Sequence, residues 1–423
     1  MGRRRDGAQR GDGTSGDVST RTTSRRGRRS GGAGPAVGLT VGSGAVLLYV
    51  LLGYPLLAGL LARARPRPVN RERGFTPSVS LVIAALDEGD VIETKLANCL
   101  SLEYPRDRLE IIVVTDGSVD DTPAKAARFG GVTVLHEDVR RGKAAALARA
   151  IDAARGDVLV FTDANNALVG DALLELVSPL ADSTVGCVTG RKAIDDGSGR
   201  PLDVAESAYW RYEAAIRRWE SRFGSVSSVN GELLALRREA VTRLSSSVVN
   251  DDLVLAMEAA ISGWRIAYAE RALSLEPASA TTGAESTRRT KLVAGRWSTL
   301  RRLGPRLARK DPLLTWQLLS HKALRLVLPA ATAGLLVGNV AAVRRRSWAP
   351  PLLGAQCAFY AAAAAGWRVE RRGTRNLLTF AHYYFVRMNI ATAEGCLQAL
   401  RRTPASLALW ERVERGEREA GRR

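Results

Sequence analysis

The chain has 423 residues, four cysteines, three histidines and a formal net charge of +19. Four scattered thiols support neither a zinc site nor a disulfide framework, and so few histidines exclude a histidine-rich metal centre. The positive excess asks for an acidic partner, either nucleic acid or an anionic membrane surface.

Residues 1–34 are arginine, glycine, serine and threonine with almost nothing apolar, the composition of a disordered basic tail. Its arginines either solubilise the chain or touch anionic lipid headgroups. Nucleic acid is set aside as a partner because no aromatic residue is interleaved with them. Residues 36–62 are uncharged and mostly apolar, longer than the roughly 20 residues that cross a bilayer. A cleaved signal peptide would have a shorter apolar core and a small-residue cleavage site, so the stretch is read as a transmembrane anchor. Arginines on both sides (Arg28 and Arg29; Arg63, Arg65 and Arg67) leave its orientation unset by charge.

A soluble series follows in which strands alternate with helices. Strands are expected at 79–85, 109–114, 132–135 and 157–165, and helices at 91–102, 122–129, 144–154 and 171–180. The alternation implies a doubly wound, mostly parallel sheet, with acids at three strand ends: Asp87 and Glu88, Asp116, and Asp163. Ligands of such sheets bind outside the carboxyl ends of the strands. Asp163 and Asn165 put two hard oxygens on one turn, which suits Mg²⁺ or Mn²⁺ bridging a diphosphate; the plainer reading is a cap on the next helix. No G-x-G-x-x-G follows the first strand, and Gly142-Lys143 lacks the remainder of a P-loop.

Five stretches carry a likeness to a known family. They are 79–88 with its Asp87-Glu88 turn, 98–105, 111–121 with Asp116-Gly117-Ser118, Arg141-Gly142-Lys143, and Phe161-Thr162-Asp163-Ala164-Asn165. Asn230-Gly231 and Asn250-Asp251-Asp252 follow in the same order. Over about 79–297 the chain resembles family 2 glycosyltransferases, inverting enzymes of GT-A fold that use nucleotide sugars. The resemblance implies that Glu88 and Asp116 hold the base and ribose of the donor, and that Lys143, with Arg141, contacts the nucleotide or its phosphates. It matches Asp163 and Asn165 to the family's Asp-x-Asp metal site, with the departure that Asn165 offers a neutral oxygen. It makes Asp252, with Asp251 as fallback, the base that deprotonates the acceptor, and it places Asn230 and Gly231 on the acceptor side. As first-turn acids of a helix, both aspartates would also be stabilised by its dipole.

Processive members of that family carry a Gln-x-x-Arg-Trp motif, for which the chain offers only Arg288, Arg289, Arg296 and Trp297. Polymer synthesis is thereby put in question, while these cationic side chains remain candidates to contact the diphosphate. The same stretch also reads as a basic amphipathic helix on a membrane surface. In the helix from 204 to 223, Trp210, Tyr212, Trp219 and Phe223 are read mostly as core, with the remainder at the lipid interface. Beyond Asp311 the composition turns apolar again at 324–343, 350–367 and 377–400, the last interrupted by His382, Arg387, Asn389 and Glu394.

The sequence thus leads to an α/β GT-A-type domain at 77–300, an N-terminal membrane anchor at 36–62, a C-terminal cluster of membrane helices at 312–400 and a basic tail at 401–423. The expected activity is inverting transfer from a nucleotide-sugar donor, a UDP-sugar by preference, to a lipid-linked or polysaccharide acceptor. Mg²⁺ or Mn²⁺ would be the cofactor. The chain would be a multi-pass protein of the cell membrane, its catalytic domain cytoplasmic because nucleotide sugars are made there. A non-catalytic scaffold, and less so a sugar nucleotidyltransferase, are the competing readings; the latter would want a Gly-rich loop that 84–87 does not supply.

Overall fold

A computed structural model describes residues 34–195, 200–372 and 376–401. The basic tails read at 1–34 and 401–423 lie, but for their edge residues, outside the described residues.

The helices α1 (Pro35–Leu48) and α2 (Tyr54–Ala64) run on through one wider turn as a single apolar rod, Pro35–Ala64. The catalytic-type domain follows with β1 (Val79–Ala85), α3 (Ile92–Leu100), β2 (Leu109–Asp116), α4 (Thr122–Ala126), β3 (Val132–Glu137), α5 (Lys143–Ala153) and β4 (Val158–Asp163). It continues with β5 (Ala167–Leu168), α6 (Ala172–Val177), β6 (Val185–Asp195), α7 (Pro201–Phe223), β7 (Leu234–Arg237), α8 (Asp251–Ile261) and β8 (Arg265–Pro277). The chain ends in helices α9 (Thr282–Lys310), α10 (Pro312–Leu318), α11 (Leu328–Ala342), α12 (Ala349–Arg371) and α13 (Leu377–Arg401).

One sheet holds all eight strands in the order β3-β2-β1-β4-β7-β6-β8-β5. Its first half is parallel, as expected: β1 lies between β2 and β4, and β3 extends β2. Every residue of β1 is buried, as its uninterrupted Val-Ser-Leu-Val-Ile-Ala-Ala run requires of a central strand covered on both faces. The second half departs from the expected mostly parallel arrangement. Strand β7 enters antiparallel to both β4 and β6, β6 and β8 pair in parallel, and β5 closes the edge antiparallel. The sheet is therefore mixed, and the chain reverses between β4 and β7 just beside Asp163.

Two helices are long and apolar enough to cross a membrane, Pro35–Ala64 and Pro312–Ala342. The first matches the anchor read at 36–62. The C-terminal cluster of spans is not shown: of the three expected there, Pro312–Ala342 alone has the length and apolarity among the described residues. It begins before the expected 324 because helix α10 continues through a wide turn, Leu319–Ala323, and a tight one, Leu324–Val327, into α11. Helices α12 and α13 are long but carry charge, and α13 packs on α9, where Thr290 Oγ1 donates to the Ala391 carbonyl at 3.1 Å. The rods α1 and α11 meet through small residues: a Cβ at Gly338 would fall 2.6 Å from Thr40 Oγ1.

The apolar rods are fixed to the domain by two buried acids of α7. Glu213 accepts from Lys322 Nζ at 2.7 Å and His321 Nε2 lies 3.3 Å away; Arg325 completes the set. Glu220 accepts the Ser227 N–H at 2.8 Å, faces His321 Nδ1 at 3.2 Å and takes the Tyr54 hydroxyl. Burial alone would push the Glu213 carboxyl up, but Arg325, Lys322 and His321 together hold it well below the usual carboxylate range. Around this polar knot, Tyr54, Ala58, Ala62, Ile216 and Phe223 form a separate apolar cluster, and Trp219 lies against Gly59. Trp219, Phe223 and Tyr212 thus take the core role expected of them.

Glu213→Ala strips three cations of one shared partner inside the protein. It is expected to cost about 3–5 kcal/mol, read as a large fall in Tm of the detergent-solubilised protein.

Candidate active site

The carboxyl ends of β1, β2 and β4 point to one rim of the sheet, and the loops there are held by carboxylates. Asp116 at the end of β2 is wholly buried. Its Oδ2 accepts the Arg141 N–H at 2.9 Å and the Gly142 N–H at 2.6 Å, and Arg149 Nη1 lies 3.4 Å from Oδ1. Gly142 adopts φ +99°, in the left-handed region that favours glycine, and this turns the loop so that Lys143 opens α5 facing Asp163. Asp116 therefore anchors the Arg141-Gly142-Lys143 loop from beneath. Across the rim, Asp87 sits at φ +52° and accepts the Val119 N–H at 2.8 Å, while the Glu88 N–H donates to Thr122 Oγ1 at 2.8 Å. Glu88 and Arg141 lie on this rim, away from the walls of the main cleft.

That cleft, about 320 Å³, runs between the domain and the helices beyond it. Lys143, Asp163, Asn230, Gly231, Asp251, Asp252, Arg288, Arg289 and Arg296 all line it. At its centre Lys143 Nζ lies 2.8 Å from Asp163 Oδ1 and 4.0 Å from Asp251 Oδ2. Burial draws the Lys143 ammonium down, yet Asp163, Asp251 and Asp252 more than offset it and keep it firmly protonated. One cation thus serves three carboxylates. Asp251 is raised above its ordinary value by burial and by Asp163. Asp252 is pushed up to about 6 by burial and by Asp251, although it accepts the Leu253 N–H at 2.7 Å. Both aspartates occupy the first turn of α8, where the dipole also favours them; the two readings of this pair coexist.

Asn230 and Gly231 shape the wall beside Asp252. The Asn230 side chain is buried and donates to the Gly190 carbonyl at 3.0 Å, and a Cβ at Gly231 would stand 3.2 Å from that of Asp252. Asn165 does not line the cleft, and its Oδ1 is buried. Trp297 likewise stays outside the cleft wall, its Nε1 buried without a hydrogen-bond partner.

No group of three or more histidine, cysteine, aspartate or glutamate side chains comes together as a metal cage among the described residues. The arrangement still suits a hard divalent ion that keeps water and phosphate ligands. Asp163, Asp251 and Asp252 outnumber the Lys143 ammonium among them, and Asp163 offers its oxygens at the end of β4.

Two supports were not read from the sequence. Lys95, almost wholly buried, donates from Nζ to Thr162 Oγ1 at 2.9 Å and to Asn166 Oδ1 at 2.8 Å, tying α3 to the turn that carries Asp163. Its position on the apolar face of α3, between Ile92 and Cys99, was the available signal. Lys192, buried with Glu232 at 3.0 Å and with Glu276, braces the loop after Asn230.

Residues 77–302 match the family described as glycosyltransferase like family 2. The chain is 27% identical over 369 residues to a beta-monoglucosyldiacylglycerol synthase of Trichormus variabilis, covering 80% of this chain and 76% of that protein. It is 26% identical over 197 residues to a poly-beta-1,6-N-acetyl-D-glucosamine synthase of Staphylococcus aureus, covering 45% of this chain and 47% of that protein. Among solved structures it is similar to a mannosyltransferase from Pyrobaculum calidifontis in complex with GDP-Man and Mn²⁺. The TM-score is 0.65 at 26% identity, over 86% of this chain and 99% of that one.

Asp116→Ala leaves two loop N–H groups without an acceptor, a cost of about 1–3 kcal/mol. Limited trypsinolysis is expected to cut faster after Arg140, Arg141 and Lys143 in this variant than in the parent.

Proposed function

The chain is a family 2 glycosyltransferase, and on that footing we propose that it catalyses inverting transfer of a sugar from a nucleoside-diphosphate donor to a lipid-linked or saccharide acceptor. The observation that carries this reading is the meeting of Asp163, Asp251 and Asp252 around Lys143 in one cleft. The GDP-Man held by the Pyrobaculum structure supports a diphosphate donor; a UDP-sugar remains the first to test. The lipid product named for the Trichormus relative, together with two helices able to cross a bilayer, supports a membrane-borne acceptor. The catalytic domain then belongs on the cytoplasmic face, where nucleotide sugars arise.

Asp252 is the base. Its carboxylate takes the proton of the acceptor hydroxyl as that oxygen bonds to the anomeric carbon. The bond from that carbon to the diphosphate breaks on the opposite side, and its electron pair leaves with the diphosphate. Lys143 lends positive charge to that leaving group, and Arg288 on the cleft wall is a further cation within the same space. Asp163 would hold Mg²⁺ or Mn²⁺, which when bound neutralises diphosphate charge. Asp251 shares Lys143 with Asp163 and is better placed than Asn165 to assist it. Asp116 acts by fixing Arg141 and Lys143, while Glu88 stands on the rim where the base and ribose would rest. Asn230 and Gly231 keep the acceptor side of Asp252 open.

Asp252→Asn is expected to lower turnover about 10²–10⁴-fold while nucleotide binding persists. In the parent protein, activity should fall as pH drops through about 6, because the raised Asp252 must be ionised to accept a proton. A parent profile flat from pH 5 to 8 would remove Asp252 from this role. Asp163→Asn is expected to abolish the Mn²⁺-dependent rise in Tm produced by UDP or GDP; an unchanged rise would remove Asp163 as the metal ligand.

A further inference from the structure

The cleft is acidic at one end and cationic at the other, and the cationic end is incompletely paired. Arg296, on α9, lines the cleft half-buried and makes no hydrogen bond or ion pair among the described residues. Burial pulls its guanidinium below its ordinary value, and Arg325 and Arg289 beside it pull the same way. Arg289 reaches Glu285 only at 3.7 Å and lies over the Tyr209 ring at 5.1 Å, while its Nε is buried with no acceptor. The Tyr384 hydroxyl, in the same neighbourhood on α13, is also buried without a partner. Of the nearby acids, Glu213 is engaged by Lys322 and Arg325 and Glu285 by Arg288 at 2.8 Å, while burial and Glu285 push the Glu206 carboxyl up to about 7 and weaken it as a counter-charge. Guanidinium and hydroxyl donors drawn out of water without acceptors are costly until an anion meets them. The fork of an arginine suits a phosphoryl group, which it can grip through two parallel bonds.

The position of this end separates it from the donor. Lys143 is governed by Asp163, Asp251 and Asp252, whereas Arg296 faces Tyr209, Arg325, Arg289 and Glu213. Its walls include Arg325 and Leu326 of the apolar helix Pro312–Ala342 and Thr392 of α13. A group anchored in a bilayer would enter from there.

We propose that Arg296 and Arg289, completed by Arg325, bind a phosphate or phosphodiester carried by the lipid acceptor, so that the acceptor is an anionic lipid and not a neutral glyceride. This assignment rests on reading the cleft as the transfer site, and it replaces the donor-diphosphate role to which the Arg-Trp stretch pointed for these two arginines. Arg288, saturated by Glu285 on one side, is left for the donor.

The full-length protein in neutral detergent is titrated with dodecyl phosphate, dodecyl maltoside and inorganic phosphate, and separately with UDP and GDP plus Mn²⁺, following Tm. Dodecyl phosphate is expected to stabilise the parent at lower concentration than inorganic phosphate, and dodecyl maltoside not at all. Arg296→Gln should weaken the dodecyl phosphate response about tenfold, with Arg296→Lys recovering part of it, and leave the nucleotide titration within about twofold. Because Arg296 makes no hydrogen bond or ion pair among the described residues, both variants are expected to stay close to the parent Tm without ligand. A parallel loss of nucleotide binding in Arg296→Gln would return the arginine to the donor and overturn the proposal. Equal responses to dodecyl phosphate and inorganic phosphate, or a dodecyl phosphate response indifferent to Arg296, would overturn it as well. Failure of nucleotides to bind the parent at all would instead count against the transferase reading of the cleft.

Discussion

The architecture depends on a carboxylate taken out of water. Glu213 lies in α7 at the junction of the sheet domain and the apolar helices, and it is tolerated there only because Lys322, Arg325 and His321 reach it from the helix Pro312–Ala342. Two turns further along the same helix, Glu220 gathers Tyr54 from the first apolar rod and His321 from the second. Glu213 depends on the second rod and Glu220 on both, and neither rod could carry these polar side chains into an apolar setting without the acids. The domain and its helices are thus mutually conditional, which fixes the floor of the cleft relative to the apolar helices.

Within the cleft a different balance holds. The sheet delivers Asp163 at the end of β4, and α8 delivers Asp251 and Asp252 from its first turn, so negative charge converges from two elements on one ammonium. Burial first, and then the neighbouring Asp251, raise Asp252 above its ordinary value. The far end, lined by α9 and the apolar helices, has the opposite shortage, with arginines exceeding the acids available to them. A molecule lying along the cleft would meet cation-seeking oxygens first and anion-seeking guanidinium groups last. That polarity is built into the cleft without any moving part.

Much of this was legible in the residues. The unbroken apolar runs of β1, β2 and β4 announced buried parallel strands, and the acids ending them announced the rim. The antiparallel half was not legible, because β7 has four residues and β5 two, too few for any period to show. That Asp116 holds the N–H groups of Arg141 and Gly142 was not legible, because a strand-end acid looks the same whether its loop opens or folds over it. Lys95 and Glu213 were hidden for a related reason. A buried charge reads as a surface charge until its partner is known, and the partners of Lys95 and Glu213 lie about 70 and 110 residues away in the chain. The second apolar helix was read as starting at 324 because His321 and Lys322 look like breaks in a span when their acids are out of sight.

The helix Pro35–Ala64 looks, by composition, like a tether that could be exchanged for any other. Its inner face says otherwise. Tyr54 and Ala58 are fully covered by α7 and its neighbours, and Tyr54 supplies one of the donors to Glu220. A shortened protein beginning after Ala64 would bare the flank of α7 to water and withdraw that donor from a buried carboxylate. Solubility, the usual motive for removing such a segment, would be lost by the very cut meant to obtain it.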